Sequence, residues 1–117
     1  MTLRNLLIPA ALLAMAAPLG AQEQISTLER GTYTCEVPGN AAGAAGIEQP
    51  DESFSILSAS RYRSEQGRGT YLRRGNRLTM TSGPRNGDAY LIVSENFLRK
   101  LDAAGKPGRL RCVRSRH

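Results

Sequence analysis

The residues able to do covalent or acid–base chemistry are few. A single histidine, His117, is the final residue, where a backbone is normally frayed and holds no catalytic geometry. With no second histidine there is no Ser-His-Asp arrangement and no His-based metal site. The one adjacent carboxylate pair is Asp51-Glu52. On an extended chain such neighbours point to opposite faces, and their polar surroundings lack the apolar setting that raises a carboxyl pKa for acid catalysis. The glycines of the Pro38 to Pro50 stretch, PGNAAGAAGIEQP, lack the Gly-Lys-Ser/Thr ending of a phosphate loop. They predict a flexible surface excursion. Together these features predict a protein that is not an enzyme and that holds no metal and no cofactor.

Arginine is the chemistry that remains. Residues 22–60 carry Arg30 as their one basic residue against six acidic ones, whereas residues 61–117 carry fourteen basic residues, twelve of them arginine, against four acidic. The whole chain has a net charge of +6 and a pI near 10.0. Arginine's planar fork favours bidentate pairing with phosphate, sulfate or carboxylate. The densest group is Arg61, Arg63, Arg68, Arg73, Arg74 and Arg77. Within it Arg61, Arg63, Arg73, Arg74 and Arg77 are candidate anion-binding residues. Strand alternation places Arg73 and Arg74 on opposite faces, so only one of that pair can join a common patch. The partner class predicted is an anionic envelope polymer or a periplasmic protein. A nucleic acid is not expected, because no recognition helix or aromatic RNA-binding strand motif is present.

The address follows from the first residues. Met1 to Ala21 reads MTLRNLLIPAALLAMAAPLGA, with Arg4, an apolar run from Leu6 to Leu19 and then small residues. That is the layout of a secretory signal, with cleavage expected after Ala21. The run is shorter than the roughly 20 apolar residues of a membrane-spanning helix, and Gln22 stands where a lipoprotein would need cysteine. The predicted product is soluble and periplasmic or secreted, with no transmembrane segment. Export carries Cys35 and Cys112 to an oxidising compartment, which predicts a disulfide between them. Two free thiols or a metal pair are the alternatives, although so distant a pair lacks the short spacing of zinc and redox sites.

The elements that must position these residues are short. From Gly31 onward, alternating stretches are separated by turn signals about every ten residues, the pattern of an antiparallel β domain. Seven strands are predicted over 32–37, 53–61, 69–74, 77–82, 89–94, 97–101 and 109–114. Gly75-Asn76 suits a two-residue hairpin turn, and Ser82 to Gly87 a longer one that Gly87 can close with a positive φ. Period two then assigns Tyr33, Cys35, Val37, Phe54, Ile56, Leu78, Met80, Leu110 and Cys112 to the core. The expected organisation is a signal peptide over 1–21, an N-terminal extension over 22–30 and one all-β domain over 31–117. That domain is a meander of about seven strands forming a small barrel or a flattened sandwich, stapled by one disulfide.

The tract from Phe54 to Tyr90, preceded by Gly31-Thr32-Tyr33-Thr34-Cys35 and followed by Cys112, resembles a group of small exported bacterial β-domain proteins of unknown function. Some of these carry the name elongation factor P. Gly69-Thr70-Tyr71 and Ser82-Gly83-Pro84 are further points of likeness. The resemblance implies a secreted β domain with a terminal disulfide and no assigned activity. The name itself does not fit the residues: that cytosolic factor has three barrel domains and a modified lysine after a Pro-Gly pair, and here Asn40 follows Pro38-Gly39. Separately, Ser58-Ala59-Ser60-Arg61-Tyr62 resembles the Ser-Gly-x-x-Tyr loop that periplasmic inhibitors of C-type lysozyme insert into the enzyme cleft, with Ala59 in place of glycine. That likeness makes Ser58, Ser60 and Tyr62 candidate residues of an inhibitory loop on a cell-wall hydrolase.

Overall fold

A computed structural model describes residues 24–39 and 45–115. The expected signal sequence, its cleavage position and His117 lie outside the described residues. Ten strands are present: β1 (Ile25–Ser26), β2 (Gly31–Pro38), β3 (Gly46–Glu48), β4 (Phe54–Ser58), β5 (Arg61–Ser64), β6 (Gly67–Arg74), β7 (Arg77–Met80), β8 (Ala89–Ser94), β9 (Phe97–Leu101) and β10 (Pro107–Arg114), with a 3-10 turn at Pro50–Glu52. Eight of them close into an antiparallel barrel in the order β2, β4, β5, β6, β7, β8, β9, β10 and back to β2. A meander whose first and last strands pair has no open edge, so the barrel, not the sandwich, is the form adopted.

The eighth barrel strand, β5, starts at the last residue of a stretch that alternation reads as one strand and continues through residues predicted as a connection. Ser53 to Arg61 is predicted as a single strand, but the chain turns back at Ala59-Ser60 and pairs Ile56 with Tyr62 and Ser58 with Arg61. Ser60 accepts a φ of 73° there, a conformation that costs a non-glycine residue. The turn contains no Gly, Asn or Asp and is short enough that the in–out pattern continues across it, so it leaves no mark in the sequence. The expected two-residue turn at Gly75-Asn76 is present, with Arg74 opposite Arg77 and Gly75 at φ 61°.

β2, at eight residues, outruns β4 on one side, and β6, also of eight, outruns both β5 and β7. The first half of β2 pairs with β4 and its last residues with β3. The Pro38 to Pro50 stretch is therefore not wholly an excursion, since part of it returns as a strand. β6 pairs with β5 through Thr70, and beyond that β1 takes the vacated side at Arg73 and Arg74. Between β3 and β4 the backbone of Cys35 turns aside from its partner strand: its N–H donates to Ser53 Oγ at 2.9 Å and its carbonyl accepts from Gln49 N–H at 2.8 Å. Cys35 and Cys112 face each other in register without bonding through their backbones, the pair type in which opposed side chains lie closest. Their disulfide is formed and fully buried.

All four tyrosines of the sequence point into the barrel. The inward set is Leu28, Tyr33, Cys35, Phe54, Ile56, Tyr62, Tyr71, Leu78, Met80, Tyr90, Ile92, Leu98 and Cys112. Val37, expected in the core, is half-buried because it lies beyond the disulfide, opposite Ile47 of β3. Leu110 is likewise half-buried and packs on the core from the irregular start of β10. A small barrel without tryptophan fills its interior with phenol rings, and the polar tips of Tyr33, Tyr62 and Tyr71 reach the backbone, whereas the buried Tyr90 hydroxyl has no hydrogen-bond partner among the described residues. Tyr33 stacks on Phe54 with ring centroids 5.4 Å apart, and its hydroxyl donates to the Glu29 carbonyl at 2.7 Å. Tyr71 Oη accepts from Leu28 N–H at 3.0 Å.

Those contacts pack Gln24 to Arg30, predicted as an N-terminal extension, against the end of the barrel. Leu28 is buried, and Arg73 donates to the Thr27 carbonyl at 3.0 Å. The opposite end is closed by Arg85, whose guanidinium donates to the carbonyls of Asp51, Glu52 and Ser53. Burial raises the phenols of Tyr33 and Tyr90 far above their usual range, more than nearby Arg114 and Arg85 respectively lower them. A group whose folded pKa is raised keeps its full contribution below its unfolded pKa, about 10 here, and loses it as pH climbs above that value. The expected result is a stability plateau below pH 10 and a steep fall above it. Tyrosinate absorbance from these two rings should rise together with unfolding, and their ionisation in a barrel that stays folded by circular dichroism would contradict the burial.

Candidate anion-binding face

The β5–β6 hairpin is organised around one inward pair. Tyr62 lies opposite Gly69, and a Cβ at Gly69 would sit 2.6 Å from the Tyr62 ring and collide with the Ser82 carbonyl. The ring thus occupies the space that a side chain at residue 69 would need. Tyr62 Oη donates to the Ser82 carbonyl at 2.8 Å and accepts from Arg85 N–H at 3.0 Å. Both sequence elements singled out above, Gly69-Thr70-Tyr71 and Ser82-Gly83-Pro84, meet at this contact.

This corrects the inhibitory-loop placement. Tyr62 is fully buried inside the barrel and has no means of entering another protein's cleft. Ser60 is exposed in the turn, and Ser58 is half-buried at the end of β4. The alternation that sends Arg61 and Arg63 outward necessarily sends Tyr62 inward.

On the outer side Arg61 stands opposite Thr70, and Arg63 directly opposite Arg68. All three arginines are exposed and none is in an ion pair among the described residues. Like charges directly opposed across a sheet are destabilising. Arg63 also lines a groove of about 420 Å³ over β2, β4 and β5, together with the hydroxyls of Thr32, Thr34 and Ser55 and the carboxylates of Glu48 and Glu65, neither of which forms an ion pair with it.

The five arginines expected to act together are divided. Arg61 and Arg63 share the β5–β6 face, with Arg68 as their companion. Arg74 and Arg77 face each other at the β6–β7 turn, six residues past Arg68 and so about 20 Å along the strand. Arg73 turns the other way, as strand parity requires. Its guanidinium donates to the Gly75 and Thr27 carbonyls at 3.0 Å and pairs with Glu95 at 3.2 Å. It holds the strap over the barrel end and is not available to a ligand.

Other cations are neutralised from both halves. From the acidic N-terminal half Glu36 pairs with Arg111 at 2.8 Å and Glu52 with Lys100 at 3.0 Å, and Asp88 of the basic half also pairs with Lys100 at 3.5 Å. Asp51 and Glu52 do not converge as a catalytic pair: Asp51 is exposed and Glu52 is held by Lys100. Among the described residues no group of three or more His, Cys, Asp or Glu side chains could hold a metal ion, and no helix is long and apolar enough to cross a membrane.

No family model matches this chain, and comparison with curated proteins and with solved structures gives no match. What can be said of function therefore rests on the residues. Sequence reasoning passed over Thr70, Thr81 and Ser82, whose hydroxyls cluster beside Arg61 and Arg68. Their only signal was the alternation of Thr79 and Thr81 with core residues, which reads as an ordinary wet face. Arg85 was missed because a turn bounded by Pro84 and Gly87 gives no hint that its side chain points inward.

Proposed function

We propose that this chain is an exported, non-enzymatic binding module whose β5–β6 face engages an anionic polymer of the cell envelope. The observation that carries this reading is the Arg63–Arg68 pair with Arg61 beside it, three exposed guanidinium groups without a carboxylate partner among the described residues. A ligand anion relieves the repulsion that the fold leaves in place. The buried disulfide supports an oxidising compartment, and the likeness to small exported bacterial β-domain proteins supports the same address. Glu36, Glu52, Asp88 and Glu95 are engaged in ion pairs, which favours binding over acid–base chemistry.

Binding through three phosphate-like contacts releases counterions, so affinity for lipopolysaccharide or heparin should fall by about 20- to 40-fold between 50 and 200 mM salt. Charge reversal at Arg61, Arg63 or Arg68 should each weaken binding several-fold, whereas Arg109→Glu, on the outer side of β10, should leave it nearly unchanged. Titration calorimetry across that salt range checks both. Affinity that ignores salt, or equal small losses at all four positions, would show an ordinary solvated surface.

A further inference from the structure

Beside the opposed arginines the outer surface of β6 carries a hollow of about 320 Å³ bordered by Arg61, Arg68, Thr70, Gly69 and Leu57. Resting on the reading of this face as anion-binding, we infer that the hollow takes a tetrahedral oxyanion, a phosphate or sulfate ester carried on the polymer, in preference to a planar carboxylate.

The argument begins with a hydrogen count. Thr70 Oγ1 lies 2.8 Å from Thr81 Oγ1 and 2.7 Å from Ser82 Oγ, and Ser82 Oγ also accepts the Thr70 N–H at 3.0 Å. Three hydroxyls bring three hydrogens, and the two bonds among them use two. One hydroxyl hydrogen is therefore left over whichever way the rotors turn. An acceptor placed in the hollow selects one arrangement: Thr81 and Ser82 both donate to Thr70 Oγ1, which has two lone pairs, and the Thr70 hydrogen turns into the hollow. Receiving two hydrogen bonds polarises that hydroxyl and strengthens it as a donor.

The donors border the same hollow from two strands. Arg61 faces Thr70 across the strand pair, and Arg68 stands two residues before Thr70 on the same face of β6. Two guanidinium forks and one hydroxyl offer up to about five hydrogens, more than the roughly four lone-pair sites of a carboxylate accept, and so favour an acceptor with oxygens in more than one plane. A phosphate or sulfate ester offers three terminal oxygens in that arrangement, and a carboxylate offers two in a single plane. Half-buried Leu57 supplies an apolar wall suited to the carbon skeleton bearing the ester.

The test compares the mature oxidised protein with its Thr70→Val and Thr70→Ser variants on three probes of matched charge density: dextran sulfate, phosphorylated dextran and carboxymethyl dextran. Thr70→Val should weaken binding of the sulfated and phosphorylated probes about tenfold, the loss of one hydrogen bond to a charged group, and change the carboxylated probe less than twofold. Thr70→Ser, which keeps the hydroxyl, should retain affinity. The tighter of the two ester probes names the source of the oxyanion. If all probes lose equally, or none does, while Arg61→Glu still weakens binding, the oxyanion inference fails and the anion-binding face stands. If the unmodified protein binds no probe, the reading of the face fails, and the inference with it.

Discussion

Replacing Cys35 and Cys112 together by alanine should lower the unfolding free energy by about 3–5 kcal/mol and leave the barrel largely unfolded near 37 °C. The two residues are 77 apart in sequence, so their bond removes much of the denatured chain's freedom, and it does so at the seam where the first and last barrel strands meet. Small β domains rely on such staples because they bury too little apolar surface to stand alone. Two further facts keep the bond intact in the native state: both sulfurs are enclosed by the barrel, and the backbone of Cys35 is held by Ser53 and Gln49. Urea titration of the double variant against the oxidised protein reads the difference. A loss under about 1 kcal/mol would mean that strand pairing alone closes the barrel.

Tyr62→Ala should be nearly as damaging. Removing a buried aromatic ring costs about 3–5 kcal/mol, and this ring also covers Gly69 and bonds to Ser82 and Arg85. Tyr62→Phe keeps the ring and strands the Arg85 N–H, so its cost should be about 1–3 kcal/mol. The pair of variants separates packing from hydrogen bonding. Gly69→Ala attacks the same contact from the other strand, since its new methyl would need the space of the ring, and its cost should not add fully to that of Tyr62→Ala. Thermal or urea unfolding of the three variants and the Tyr62→Ala/Gly69→Ala double completes the cycle. A Tyr62→Ala protein of unchanged stability would place that side chain on the surface and restore the cleft-inserting loop as a reading.

The two outcomes bear on function because the same contact aims the arginines. Tyr62 inward means Arg61 and Arg63 outward, and Gly69 inward means Arg68 and Thr70 outward. A variant that loosens the Tyr62–Gly69 pair should therefore lose polyanion affinity along with stability. Arg61→Glu, by contrast, should lose affinity alone, because nothing in the fold depends on that side chain.

The sequence by itself determined the all-β class, the cysteine pairing, most strand positions and the inward parity of Tyr33, Cys35, Phe54, Ile56, Leu78, Met80 and Cys112. These are local properties: period two, turn residues and the presence of only two thiols. Tertiary structure decided whatever depends on which strand lies beside which. It closed the meander into a barrel, since closure is a pairing between residues some 77 positions apart that no local pattern encodes. It reversed the chain at Ala59-Ser60, a turn whose residues carry no turn signature, and so set Tyr62 beside Ile56. It drew Gln24 to Arg30 across the barrel end, because the free Leu28 and the Thr27 carbonyl found partners on β6 that are distant in sequence. It divided the arginines too, because charge counting along a chain cannot distinguish Arg73, bound to Glu95 beneath the barrel, from Arg63 and Arg68, which the register of two strands sets face to face.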